Sequence, residues 1–315
     1  MSLSRACGKV ILLGEHSVVY GQPALAAGLS PGAEAQFTQD LSCDSVTLTI
    51  EGITPEPLVT RASDATDLAR AVAALLDESA RVLKLHRQDL RGALWARLYL
   101  PAGGGVGSSA ALGVACARAI GQAMQSHEPS LADVIHLGMS WEKVFHGNPS
   151  GLDHTVAAYG GAGLFVRNEG FTPVRLAAPL RVLFADTGER TPTKETVAGV
   201  AKLRERRPEV VDKTCDAIGV LVRNAVLALQ ENDLRALGQL MDLNQNLLSS
   251  LMVSTPRTEE LCGLARDNGA YGAKLTGGGG GGCVIAIAPN DCCEPILSSW
   301  KKAGSNVFSS LITVE

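Results

Sequence analysis

The stretch that most limits how this chain can fold runs from Leu94 to Met124. Leu94, Ala96, Leu98 and Leu100 alternate with Trp95, Arg97 and Tyr99, the period-two pattern of a half-buried strand. The strand leads directly into Pro101-Ala-Gly-Gly-Gly-Val-Gly-Ser-Ser-Ala-Ala111, and an alanine-rich helical stretch, Ala110 to Met124, follows. Strand, glycine loop and helix start in that order have the chemistry of a phosphate cradle. Glycines let backbone N–H groups approach an anion with no Cβ in the way, and the loop feeds the positive end of a helix dipole. Pro101, Ala102, Gly103, Gly104, Gly105, Val106, Gly107, Ser108, Ser109, Ala110 and Ala111 are therefore the candidate nucleotide-binding residues.

The loop is of no common type. A Walker A loop needs Lys-Ser or Lys-Thr after its last glycine, and no lysine follows here. A Rossmann loop needs a third glycine where Ser108 stands. Gly277 to Gly282 satisfies that pattern trivially, so the match carries no weight. Protein kinases are excluded by the lack of a His-Arg-Asp catalytic loop and an Asp-Phe-Gly triplet.

At 315 residues the chain makes one large domain or two ordinary ones, and with 46% hydrophobic residues it can bury a substantial core. A net charge of −4 argues against a nucleic-acid partner. No apolar run approaches the roughly 20 residues of a membrane span, and the N-terminus shows no signal-peptide pattern. A cytoplasmic protein is expected. Its eight cysteines form no C-x-x-C pair and read as free thiols, and its six histidines show no zinc spacing. Helices are expected over Thr66–Leu85, Leu131–Val144, Pro208–Gln230, Leu234–Ser249 and Thr258–Asn268. Strands are expected at Lys9–Leu13, Val46–Ile50, Arg181–Asp186, Cys283–Ala288 and Asn306–Val314.

Gly8-Lys-Val-Ile-Leu-Leu-Gly-Glu-His16, Pro101–Ala111 and Lys274-Leu-Thr-Gly-Gly-Gly-Gly-Gly-Gly-Cys283, in that order, resemble the three motifs of the GHMP small-molecule kinases. Within them the chain looks most like the mevalonate kinases. His146-Gly-Asn-Pro-Ser-Gly-Leu-Asp153 resembles their catalytic loop, and Asn244 to Ser254 a later helix. The resemblance implies an α+β fold: a ribosomal protein S5 domain 2-like N-terminal domain, expected over 1–175, and a ferredoxin-like C-terminal domain over 176–315. It implies ATP as co-substrate, Mg²⁺ as cofactor, mevalonate as acceptor, 5-phosphomevalonate as product, and a homodimer. Phosphomevalonate kinase, a sugar kinase or a catalytically inactive nucleotide-binding relative are the alternatives. Against a sugar kinase, Val18 stands where galactokinase-like enzymes carry a sugar-gripping Asp.

The roles the resemblance carries over also make chemical sense. Asp153 is the expected base for the acceptor hydroxyl, with Lys9 beside it to depress the alcohol's pKa. Glu142, eleven residues before Asp153, is the expected Mg²⁺ carboxylate, with Ser108 or Ser109 as second ligand. Glu15, His16, Thr187, Thr193 and Lys194 are the expected acceptor residues, with His16 donating a hydrogen bond. Gly277, Gly278, Gly279 and Gly280 are expected to form a close-approach loop at the nucleotide end of the site.

Overall fold

The computed structural model describes residues 3–60, 66–101, 104–147 and 149–313. The chain forms two compact units that are not consecutive in sequence. The first comprises Met1–Lys9, Ser30–Ala102 and Gly107–Gly160; the second comprises Val10–Leu29, Gly103–Val106 and Gly161–Glu315. The chain passes from one to the other within two long strands, β1 (Ser4–Leu13) and β2 (Ala24–Gln39), and within the glycine loop. The boundary expected after residue 175 therefore falls inside the second unit.

In the first unit, β3 (Val46–Ile50), β4 (Leu58–Thr60), β5 (Gly92–Leu98) and the later half of β2 form one sheet in the order β4-β3-β5-β2. β5 runs antiparallel to β2, with Ala33 opposite Leu98, and parallel to β3, with Val46 opposite Gly92. Four helices belong to this unit: α1 (Asp67–Val82), α2 (Ser108–Gln125), α3 (Leu131–His146) and α4 (Leu152–Tyr159). Their apolar sides meet the strands in one core, with Phe37, Leu48 and Leu94 from the sheet and Val72, Val114, Leu137 and Trp141 from the helices. α1 and α3 start where a side-chain oxygen can cap them: Thr66 accepts from the Ala69 N–H and Ser130 from the Asp133 N–H.

The approach of α2 to α3 rests on a missing side chain. A Cβ on Gly113 would lie 2.5 Å from Cγ of the fully buried Trp141. Gly113→Val is expected to overpack this contact and lower stability by about 1–3 kcal/mol. An unchanged thermal midpoint would contradict that packing.

The second unit contains two sheets' worth of strands. β6 (Ala162–Val166) pairs antiparallel with the first half of β2, Ala24 opposite Phe165, and β7 (Gly170–Pro173) continues beside β6. The other sheet is antiparallel, made of β8 (Leu180–Asp186), β9 (Gly272–Thr276), β10 (Cys283–Ile287) and β11 (Val307–Ile312) in the order β11-β8-β10-β9. Helices α8 (Pro256–Asp267) and α9 (Asn290–Lys302) pack on it through Leu261, Ala265, Ile296 and Trp300. That order and connectivity are ferredoxin-like. Between β8 and β9 the chain adds α5 (Thr193–Arg206), α6 (Pro208–Gln230) and α7 (Leu234–Ser250). All eight cysteines are free thiols. Among the described residues no helix is long and apolar enough to cross a membrane.

Candidate active site

The chemistry-bearing residues of the first unit gather at the start of α2, the end of α3 and the start of α4. Lys9 on β1 is buried, with only 4% of its side chain exposed, and its Nζ lies 3.1 Å from Oδ1 of Asp153. The Asp153 side chain is 36% exposed, so the cation is hidden while the carboxylate is open to solvent. Gly107 sets the position of Lys9. Its φ of 74° makes it a left-handed N-cap for α2, and a Cβ there would lie 2.9 Å from both N and Cβ of Lys9. Asp153 sits in the first turn of α4 behind Gly151, whose φ is 94°, and so lies at the positive end of that helix.

Glu142, near the end of α3, is 2% exposed. Its Oε1 accepts a 2.7 Å hydrogen bond from the Ser109 hydroxyl, which in turn accepts one of 3.3 Å from the Trp141 indole. His146 Nε2 stands 3.5 Å from Oε2. Burial pushes the Glu142 carboxyl up to about 7, and the Asp153 charge adds to this; the Ser109 hydrogen bond and the Lys9 charge pull it back. Of the two serines expected near a metal, Ser109 is the one bonded to Glu142. Ala111 cannot offer its N–H to a phosphate, because that group is already bonded to the Gly107 carbonyl at 2.9 Å. Ala110 and Ala111 bury their side chains in the core. Pro101 is half-buried before the loop, and Ala102 and Gly103 lie outside the described residues.

His154 follows Asp153 and is 1% exposed, with its Nδ1 lacking a hydrogen-bond partner. Burial lowers its pKa to about 4, against the opposing pull of Asp153. The unfolded chain takes up a proton near pH 6.5 that the folded ring refuses until about pH 4. The proton-linked cost of this histidine is therefore absent above about pH 7 and removes stability as pH falls from 6.5 towards 4, by about 3 kcal/mol in full. His154→Asn should show a shallower loss of urea-unfolding free energy than wild type over that window. Parallel curves for the two proteins would contradict a neutral, buried His154.

In the second unit the third glycine run is a fixed loop. The Gly278 carbonyl is 2.9 Å from His16 Nε2, the Gly280 carbonyl accepts from the Thr191 hydroxyl at 2.7 Å, and the Gly282 carbonyl accepts from the Thr187 hydroxyl at 2.8 Å. The Gly280 N–H donates to Val253 O and the Gly282 N–H to Glu189 O. Side chains are excluded by contact: a Cβ on Gly279 would lie 2.3 Å from Val253 O, and one on Gly281 2.5 Å from Glu189 O. The run also packs on the first glycine loop, since a Cβ on Gly277 would lie 3.2 Å from Gly105 O. Gly104 and Val106 are buried.

The expected acceptor residues divide into buried and exposed. His16 is 5% exposed, and burial lowers its pKa, partly offset by the bond to Gly278. A carbonyl only accepts, so Nε2 carries the ring proton and Nδ1 of the neutral ring is an acceptor. That reverses the donor role expected from the sequence. Thr187 spends its hydroxyl on Gly282. Thr193 and Lys194 are exposed in the first turn of α5, with Thr193 Cγ2 3.0 Å from where a Gly278 Cβ would sit. Glu15 is 1% exposed, and its carboxylate is taken by the Lys274 ammonium and by Asn244 Nδ2 at 3.2 Å. Burial raises the Glu15 pKa, opposed by the Lys274 charge. Removing one partner of such a dry pair costs about 3–5 kcal/mol.

Four contributors were given no role in the sequence reading, three of them inside quoted motifs: Lys274, Asn244, Thr276 and Trp141. One signal was available. Lys274 stands in Gly-Ala-Lys-Leu-Thr, a strand buried at every position, and a buried ammonium requires a carboxylate partner.

Comparison with known proteins identifies the family. Residues 67–161 match the GHMP kinases N terminal domain and residues 225–306 the GHMP kinases C terminal domain. Mevalonate kinase of Pyrococcus horikoshii is 39% identical, covering 91% of this chain and 88% of its own length. Mevalonate kinase of Pyrococcus abyssi is 35% identical over 99% of this chain and 96% of its own. Among solved structures, L. major mevalonate kinase in complex with R-mevalonate superposes with a TM-score of 0.83 at 28% identity, covering 100% of this chain and 97% of that one. With both domain signatures in order and relatives of this identity along nearly its whole length, the chain belongs to the GHMP kinase family.

Proposed function

We propose that this chain is an ATP-dependent kinase that phosphorylates the primary hydroxyl of mevalonate, giving 5-phosphomevalonate for isoprenoid biosynthesis. The observation that carries the proposal is the pairing of a buried Lys9 with a half-open Asp153 at 3.1 Å. Asp153 takes the proton as the acceptor oxygen forms its bond to the γ-phosphorus, and the bond from that phosphorus to the bridging oxygen of ADP breaks. Lys9 lowers the pKa of the attacking alcohol and steadies the transferring phosphoryl charge. The N–H groups at the start of α2, ahead of Ala111, hold phosphate oxygens.

Mg²⁺ fits the residues present. Glu142 is a buried carboxylate whose ionised form is disfavoured by burial and by Asp153, so a cation beside it relieves both. Among the described residues no group of three His, Cys, Asp or Glu forms a metal site, which suits an ion that takes its other ligands from nucleotide phosphates and water. Glu142 and Ser109 would hold it, and its charge would offset that developing on the phosphates.

On the acceptor side, His16 Nδ1 accepts from a hydroxyl of mevalonate. The carboxylate then needs a cation, and Lys194 is the candidate. The proposal includes a cytoplasmic homodimer, which light scattering on the purified protein tests. The reaction itself is tested by ³¹P NMR with ATP, Mg²⁺ and mevalonate. Stoichiometric ADP and a C5 phosphomonoester are expected; ADP with inorganic phosphate alone would refute the transfer.

A further inference from the structure

The acceptor-side turn of the second unit contains a strained backbone whose support the proposed reaction does not explain. His16 has a φ of 60°, the left-handed region that a residue with a Cβ adopts only where its surroundings impose it. Its ring is tied to Gly278, but one ring bond at the end of two rotatable χ angles does not fix the backbone.

The backbone is held from β9. Ala273 and Leu275 of this strand point to one face, and Ala273 joins the apolar core under α8 and α9. Lys274 and Thr276 point to the other. Thr276 Oγ1 accepts from the Ile11 N–H and donates to the Ile11 carbonyl, both at 3.1 Å. Lys274 pairs with Glu15, four residues further along the same segment. Two successive side chains of one strand face thus grip the Val10–His16 segment at two points, the second directly before His16. Asn244 of α7 binds the other oxygen of Glu15, so that carboxylate cannot swing.

A dry ion pair is a poor stabiliser, since an apolar pair of similar volume often does as well or better, but it fixes orientation. We infer that Lys274 is a positioning residue for acceptor binding: through Glu15 it holds the Glu15-His16 turn so that the His16 ring meets the acceptor hydroxyl. The inference rests on the acceptor role proposed for His16.

The test is the split between the two substrates in an ADP-release assay. The double variant Glu15→Gln/Lys274→Met keeps side-chain volume and leaves no unpaired charge. It should keep a wild-type thermal midpoint, raise the mevalonate KM by about tenfold, and leave the ATP KM within about twofold. Asn244→Ala removes one oxygen's partner without stranding a charge, and should give the same split at several-fold size. A folded double variant with the wild-type mevalonate KM overturns the inference, as does an equal rise in both constants. If the double variant does not fold, an unchanged mevalonate KM in Asn244→Ala overturns it. A wild-type enzyme inactive on mevalonate but active on another acceptor refutes the substrate reading, and the split is then measured with that acceptor.

Discussion

Asp153→Asn is expected to leave the fold and ATP affinity intact and to lower kcat by roughly 10²–10⁴-fold. The amide is nearly the size of the carboxylate and can still accept from Lys9, whose Nζ lies 3.1 Å away. It cannot take the hydroxyl proton, so the attacking oxygen must lose that proton to water. The side chain is partly exposed at a helix start, and its amide oxygen keeps an acceptor for the buried Lys9 ammonium, which loses its counter-charge but not its hydrogen bond. Stopped-flow and steady-state rates on the purified variant give the measurement, with ATP-analogue calorimetry as the control for binding. Activity within a few-fold of wild type would remove Asp153 from the chemistry.

Glu142→Gln should act through the metal instead. The substitution keeps an oxygen for the Ser109 hydroxyl but removes the negative charge from a site that is 2% exposed. Even a residue that only supports a metal ligand typically costs 10–100-fold in affinity, so loss of a ligand charge should raise the Mg²⁺ concentration for half-maximal rate by at least about tenfold. Without metal, the variant should be at least as stable as wild type, because it no longer buries a carboxyl that burial holds near 7. A superimposable Mg²⁺ titration would make Glu142 a structural acid only.

Much of the arrangement was visible in the sequence where pattern and chemistry coincided. Helix α6 matched its expected limits, Pro208 and Gln230, because Val211, Cys215, Ile218, Val222, Ala225 and Leu229 make an unbroken apolar stripe. The glycine loop was legible because its strand, loop and helix each carry an independent signal. Helix α5 was not: Val200 is its only fully buried residue, so it has no stripe to read. Strand β4 has three residues, too few to show alternation. The sixteen-residue β2 runs on through Ser30-Pro31-Gly32, a sequence that reads as a break. There a Cβ on Gly32 would lie 2.1 Å from the Gly8 nitrogen, so that glycine serves a close strand approach.

At the candidate site, motif resemblance singled out Lys9, Asp153 and Glu142, but not which atoms meet. Ser109 rather than Ser108 lies on Glu142 because the Trp141 indole, one residue from Glu142, anchors that hydroxyl. Glu15 was expected near the acceptor from the resemblance alone; its pairing with Lys274, 259 residues away in sequence, leaves no local pattern to read. The proton on His16 was set by a backbone carbonyl, Gly278, that no side-chain pattern reveals.

The central claim is that this kinase acts on a small hydroxy acid. Its most direct test is kcat/KM from coupled ADP release, measured side by side with mevalonate, phosphomevalonate, galactose and homoserine at saturating ATP and Mg²⁺. The account predicts mevalonate as the preferred acceptor by at least about a hundredfold, the discrimination open to a site that pairs a substrate's polar groups. Faster turnover of galactose or phosphomevalonate than of mevalonate would contradict it.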